Sequence, residues 1–337
     1  MPKLSVVTGG GGFVGRHLVE ALLARGDRVR IVDIAEPKFA TEAEYVHGDI
    51  TDAQSMKDAL AGADVVFHAA SVVHTKQNQQ DFVYRANLDG TKNVLDACKA
   101  HGIGKLLYVS SGSVVYEGRD IENGDESLPY ATVELAPYAA SKVAAEKLVL
   151  AANGEGGVAT TALRPHVIFG PGDTRFLPAV IKHAKSGRLK FQVGLGNWMS
   201  DYTYVSNLVD ALIAAEERLS LGSPVAGSAY FITNGEPMPF WDFVRATLAR
   251  LGLPPIKGKI PHQIVYAIAA VKEGFDTLRG GTISPEDGLT RFAIRYMCTH
   301  HYFSIEKAQR DLGYTPKVTV AEGIELTCKH LEATGGV

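Results

Sequence analysis

The chain has 337 residues, 46% of them hydrophobic and 21% charged, with a formal charge of -3. That length exceeds the needs of one compact core, so a large domain plus a smaller one is expected, and the lack of surplus positive charge argues against a nucleic-acid partner. The three cysteines, Cys98, Cys298 and Cys328, are odd in number and without paired metal-ligand spacing, so neither a disulfide framework nor a metal site is expected.

From the N-terminus the chain passes almost directly into the apolar run Leu4 to Val7, with no basic leader or cleavage site, and a cytoplasmic protein is expected. Short β-branched runs then alternate with helical patterns. Strands are predicted at Leu4 to Thr8, Arg28 to Asp33, Glu44 to His47, Asp64 to His68, Lys105 to Ser111 and Val158 to Arg164. Helices are predicted near Phe13 to Arg25, Asp52 to Leu60, Phe82 to Ala100 and Tyr138 to Ala152, where apolar residues recur at three and four. This is the signature of an α/β fold, a Rossmann-like doubly wound parallel sheet. After Pro171 helices dominate and prolines cluster at Pro237, Pro239, Pro254, Pro255 and Pro261, so a smaller, mostly helical C-terminal domain for the substrate is placed there. Tyr202 to Glu217 again reads as strand then helix. The expected division is residues 1–170 with 202–218 returning to them, and residues 171–201 with 219–337. Within the second part, Ile264, Val265, Ile268 and Val271 fall at helical spacing in a stretch far too short to span a bilayer and stopped by Lys272, Glu273 and Asp276. A core helix, a pocket lid and a peripheral membrane contact all remain open for it.

The segment Thr8-Gly9-Gly10-Gly11-Gly12-Phe13-Val14-Gly15 follows a strand and opens a helix, where glycines admit a pyrophosphate and the helix N-terminus faces its charge. Two registers fit, Gly9, Gly12 and Gly15, or Gly10, Gly12 and Gly15; Thr8 favours the first. Asp33 ends the second strand, where a carboxylate accepts hydrogen bonds from a ribose and repels a 2′-phosphate. NAD is therefore expected over NADP. Asp49 and Ile50 follow the third strand, with Asp49 a candidate for the adenine amine, and His68, Ala69 and Ala70 end the fourth. His68 reads as a packing or backbone-contact residue near the cofactor.

Of the thirteen tyrosines only Tyr138 has a lysine four residues later, and one helical turn puts Tyr138 and Lys142 on one face. An adjacent ammonium favours phenolate, so Tyr138 can take a hydroxyl proton while a hydride leaves; Lys142 can also bind ribose hydroxyls. Ser111 is the choice for the hydroxyl that orients the substrate oxygen. Ser110 and Ser113 are rivals, because a one-residue error in the strand end changes the face.

On these motifs the chain resembles an extended short-chain dehydrogenase/reductase over nearly all its length. The runs Ser110 to Gly118, Asp120 to Gly124, Leu128 to Ala131 and Asn234 to Trp241 resemble the decarboxylating sterol 4α-carboxylate 3-dehydrogenase branch. Arg164 to Asp173 and Asp201 to Val205 are similar to the wider 3β-hydroxysteroid dehydrogenase family. The resemblance implies catalytic roles for Ser111, Tyr138 and Lys142, and backbone near Pro165 and Ile168 meeting the nicotinamide amide. It implies a sterol or other apolar β-hydroxy acid as substrate, and a homodimer built on the Phe82 to Ala100 and Tyr138 to Ala152 helices, which Ala139, Ala140, Ala144 and Ala145 permit. The same chemistry fits a 2-alkyl-3-oxoalkanoate reductase, and a nucleotide-sugar epimerase is the nearest isomerase; a redox sensor or scaffold is the non-enzyme alternative. His300 and His301, as neighbours, read as core or rim residues. Arg175, Arg188, Arg291 and Arg295 are candidates for a substrate carboxylate, with none singled out.

Overall fold

The computed structural model describes residues 2–73, 80–133, 135–278 and 290–336. Its first strand, β1 (Leu4–Thr8), is buried throughout, as a parallel strand covered on both faces must be. Helix α1 (Phe13–Arg25) follows; Gly26, at φ 94°, closes it by donating its N–H to the Leu22 and Leu23 carbonyls. The alternation continues through β2 (Arg28–Asp33), β3 (Glu44–His47), α2 (Ala53–Leu60), β4 (Val65–His68), α3 (Gln80–Tyr84), α4 (Gly90–His101), β5 (Lys105–Val109), β6 (Ile121–Gly124), α5 (Pro137–Ala151) and β7 (Ala159–Pro165). Beyond these lie β8 (Ile168–Phe169), α6 (Phe176–Lys185), β9 (Phe191–Val193), β10 (Met199–Ser200), β11 (Thr203–Tyr204), α7 (Val205–Arg218) and β12 (Ser228–Ile232). The chain ends with β13 (Met238–Pro239), α8 (Phe240–Arg250), β14 (Gly258–Ile260), α9 (His262–Leu278), α10 (Arg291–Met297), β15 (His301–Phe303), α11 (Glu306–Leu312) and α12 (Val320–Ala333).

Seven strands form one parallel sheet in the order β12-β7-β5-β4-β1-β2-β3. One face is covered by Leu18 and Leu22 of α1, Leu208 and Leu212 of α7, and Ala308 and Leu312 of α11. Met56 and Leu60 of α2, Val94 and Cys98 of α4, and Ala145 and Val149 of α5 cover the other. Strand order reverses between β1 and β4, which opens a crevice at the carboxyl ends of the strands, the usual ligand position in a sheet of this kind.

Three details depart from the sequence reading. β12 and α11 lie in the stretch assigned to the smaller domain, yet β12 pairs with β7 in register Ser228↔Thr161 to Ile232↔Pro165, and α11 packs on the main sheet. Both faces of β12 are covered, so an isolated apolar run proved to be the sheet's last strand. The single helix expected over Phe82 to Ala100 is two helices joined by a π-helical turn over Arg85–Asp89. β5 stops at Val109, and Ser111 instead starts a 3₁₀ turn, accepting the Ser113 N–H at 3.2 Å.

A smaller four-stranded sheet, β13-β10-β15-β6, stands beside the main one. Trp241, Val244 and Leu248 of α8 pack with Val265 and Ala269 of α9 and Ile294 of α10 against Val193 and Ile260 of a two-stranded pair, β14-β9. Among the described residues no helix is long and apolar enough to cross a membrane, and no cluster of three or more His, Cys, Asp or Glu could hold a metal ion. Only the backbone of Asp276, expected to stop the apolar stretch, belongs to the described residues.

Candidate active site

At the crevice a cavity of about 870 Å³ runs from the glycine turn to the start of α5. Gly9, at φ 71°, presses against Ala70, where a Cβ would stand 2.7 Å from backbone; a Cβ on Gly15 would meet the Gly9 carbonyl at 2.1 Å. These close approaches require glycine at 9 and 15. Gly10 is also tight, against the Ile31 side chain. Gly12 caps α1 without a side chain, and no acidic residue occupies the first turn, so the helix start keeps unsatisfied N–H groups toward the cavity. Phe13 and Val14 line it beside them.

Asp33 closes the next side, one carboxylate oxygen accepting the Gly11 N–H at 3.0 Å. Asp49, Ile50, Ala69 and Ala70 complete this half of the wall; Asp49 also accepts the Thr51 N–H at 2.8 Å. Open N–H groups at a helix start, backbone that tolerates close approach and a half-buried carboxylate at the second strand end suit a dinucleotide with a free ribose 2′-hydroxyl. His68, expected near the cofactor, does not line the cavity: it is buried behind it, bonded to Thr8 at 2.7 Å and Thr91 at 2.9 Å. Burial, with the charge of Lys142 adding to it, pushes its imidazole down to about 3, so it is neutral.

Ser111, Tyr138 and Lys142 meet at the far end, with Pro165 and Ile168 opposite. The Ser111 hydroxyl accepts from the Ser113 hydroxyl at 2.9 Å and acts on the Tyr138 phenol, which lines the same end of the cavity. Ser110 is drawn away into the protein, donating to Glu146, a buried carboxylate also held by Arg164 at 2.6 Å and the Tyr130 phenol at 2.8 Å. The three serines are thus separated by their partners. Burial raises the Tyr138 phenol, while the Ser111 hydrogen bond and the charge of Arg175 oppose it. Lys142 departs from the sequence reading in orientation. Its ammonium donates to the Val109 carbonyl at 2.7 Å and lies 4.6 Å from the Tyr108 ring centre. Burial brings that ammonium down to about 7, with Glu146 opposing.

The sequence reading missed several residues. Asn87, in the π turn, accepts the Val72 N–H at 2.7 Å and donates to the Val72 carbonyl and the Ser141 hydroxyl, each at 2.9 Å, which fixes the cavity-lining loop against α5. A polar residue on an otherwise apolar helix face was the available signal. Val167, Phe176, Phe292 and Tyr296 give the far end an apolar wall. Val167 sits at φ 39°, a costly conformation for a β-branched residue and one that concentrates at functional sites. Behind the wall, Tyr296 is hydrogen-bonded to His166 at 2.9 Å, and His166 to His301 at 2.7 Å. None of the described side chains of α9 lines the cavity, and Ile264, Ile268 and Val271 face outward, while α10 supplies that wall.

A model of the 3-beta hydroxysteroid dehydrogenase/isomerase family matches residues 6–261. The human sterol-4-alpha-carboxylate 3-dehydrogenase, decarboxylating, is 40% identical over 96% of this chain and 87% of its own length. A 2-alkyl-3-oxoalkanoate reductase of Stenotrophomonas maltophilia is also 40% identical, over 95% of this chain and 96% of its own. Among solved structures, the UDP-glucose 4-epimerase of Thermus thermophilus in complex with NAD superposes with a TM-score of 0.74 at 25% identity, covering 98% of this chain and 99% of that one.

Proposed function

The chain belongs to the 3-beta hydroxysteroid dehydrogenase/isomerase family and is an oxidoreductase acting on CH–OH groups; from that premise we propose that it oxidises a 4-carboxy-3β-hydroxysterol with NAD, followed by loss of carbon dioxide. The observation that carries this reading is the meeting of Ser111, Tyr138 and Lys142 at the end of a dinucleotide-sized cavity whose adjoining wall is Val167, Ile168, Phe176, Phe292 and Tyr296. Such a wall suits a rigid apolar ring system better than a sugar diphosphate.

When bound, NAD accepts the hydride from the carbinol carbon. Ser111 holds the carbinol oxygen and Tyr138, as phenolate, takes its proton. Lys142, fixed by the Val109 carbonyl, would bind the ribose hydroxyls through its remaining donors. Oxidation places a ketone β to the carboxylate. When the bond to carbon dioxide breaks, its electron pair moves to the ketone oxygen, where Tyr138 already carries a proton to return, so no further acid or metal is needed.

The test is NADH formation and carbon dioxide release with a 4-carboxy-3β-hydroxysterol. Tyr138→Phe should lower kcat by about 10²–10⁴-fold while the Kd for NADH, read by fluorescence, stays within twofold. Turnover near wild type in that variant would remove the proton relay from this site. The 40% identity to the Stenotrophomonas maltophilia protein supports a second reading with the same chemistry on 2-alkyl-3-hydroxyalkanoates. NADH formed with those acids and not with the sterol would favour it, and interconversion of sugar nucleotides without net NADH would favour an epimerase.

The working form is proposed to be a homodimer joined through α4 and α5, where Ala140 and Ala144 are only partly covered. Light scattering at micromolar concentration should give twice the 36.1 kDa chain mass; a monomer would refute it.

A further inference from the structure

Arg175 is a cation on the cavity wall for which the proton relay has no use. Its backbone N–H donates to Asp173 at 2.8 Å, and Asp173 also accepts the N–H groups of Phe176 and Leu177, so the residue is fixed at the entry to α6. Its guanidinium donates to the Val73 carbonyl at 2.9 Å, which ties it across the cavity to the loop after β4. A guanidinium carries five N–H donors. Among the described residues no acidic side chain pairs with this one and no second hydrogen bond uses its fork. The exposed remainder is free to meet a ligand, and its charge favours the ionised form of the Tyr138 phenol. An open guanidinium therefore stands on the wall of the cavity that the proton acceptor also lines, at the edge of the apolar group Val167, Phe176, Phe292 and Tyr296.

We infer that Arg175 binds the carboxylate that the substrate carries on the carbon next to its carbinol, and so selects β-hydroxy acids over the corresponding simple alcohols. The inference rests on the dehydrogenase reading above and narrows its substrate class. The fork geometry of guanidinium matches a carboxylate with two parallel hydrogen bonds, whereas the lysine ammonium offers only a point charge. A carboxylate held there leaves its neighbouring carbinol pointing along the wall toward Ser111 and Tyr138. The other cations on the wall are Lys142, which is turned to Val109, and Arg85, which stands on the Arg85–Asp89 π turn.

Two substrates differing in one group separate this role from a structural one: a 4α-carboxy-3β-hydroxysterol, and the same sterol with methyl in place of the carboxyl. If only the alkyl acids are turned over, a 2-alkyl-3-hydroxyalkanoate and its methyl ester serve instead. Arg175→Gln should raise KM for the acid by about 10–100-fold and leave the uncharged partner within about twofold, with the Kd for NADH unchanged. Arg175→Lys should fall between. Equal losses on acid and uncharged partner, an unchanged KM for the acid, or a Kd for NADH weakened tenfold would each overturn the assignment, the last by making Arg175 a cofactor contact. Wild-type protein that oxidises neither class of acid with NAD would overturn the dehydrogenase reading itself, and the carboxylate anchor with it.

Discussion

We propose that a single carboxylate sets the choice of nucleotide. Asp33 is held by the Gly11 N–H on one oxygen and lines the cavity, so its free lone pairs face the position of an adenosine ribose, and its charge opposes a 2′-phosphate. Losing a hydrogen bond to a charged group costs about 1.5–3 kcal/mol. Asp33→Asn should therefore lower kcat/KM with NAD by about 10–100-fold and shrink the preference over NADP. Wild-type protein that works better with NADP than with NAD would sink the assignment. The placement of Gly9, Gly15, Asp33 and Tyr138 on the cavity wall was legible in the sequence because each depends on local context, a strand end or a helix start. What decides among Ser110, Ser111 and Ser113 was not, because Ser110 is claimed by Glu146, which lies 36 residues away. The orientation of Lys142 was hidden for the same reason: the spacing puts it near Tyr138, and only the packed fold hands its ammonium to Val109. His166 and His301 meet across 135 residues, a contact that no local pattern announces.

Regular elements followed the sequence pattern in β1, α1 and β2 and departed from it where side chains make long-range contacts. The Arg85–Asp89 π turn is one such place, because Asn87 must face both Val72 and Ser141. α9 is another. Its Val265 and Ala269 are buried against Trp241 and Ile294, yet Ile264, Ile268, Val271, Phe275 and Leu278, three or four residues apart, are 54% to 84% exposed. An outward apolar stripe of this length is not needed for a core helix. Exposed Phe191 and Leu195 flank it through β9 and β14, which enlarges the apolar face near its start, and exposed Lys257 and Lys259 stand just before it. Apolar face and basic margin together fit shallow contact with an anionic lipid surface, from which an apolar substrate would come. Ile264→Asp with Ile268→Asp should cut sedimentation with phosphatidylglycerol vesicles by about tenfold while stability shifts by about 0.5 kcal/mol or less per site, since both side chains are already in water. Wild-type protein that stays in the supernatant would end the lipid reading, and a double variant that aggregates would mean the stripe supports the fold.

At the scale of the molecule, the sheet was legible as a doubly wound α/β arrangement, but its far edge was not, since β12 is separated from its partner β7 by the whole of α6 to α7. The same long-range packing buries titratable groups whose effect on stability can be signed. Burial brings His68 down to about 3 and His301 down to about 4, and lowers His166. All three are neutral in the folded chain. An unfolded histidine takes up its proton near 6.5, so between about 6.5 and 4 the unfolded state binds more protons and stability falls as pH falls. Lys142, brought down to about 7 by burial, adds a loss of the same sign above that window. Asp201 opposes them: burial pushes its carboxyl up to about 7, so the folded chain keeps a proton that the unfolded chain releases, and its contribution is lost as pH rises from about 4 to 7. Burial raises Glu126 and Asp173 too, by less than Asp201; each group acts with a slope of at most about 1.4 kcal/mol per pH unit, and the three strongly lowered imidazoles outweigh these carboxyls. Tm should therefore fall steadily from pH 7 to pH 4.5 rather than hold level until carboxylates titrate. Asp201→Asn removes the largest opposing contribution and should steepen that fall; a wild-type Tm that is flat or rises toward pH 5 would show that the buried imidazoles are charged in the folded protein.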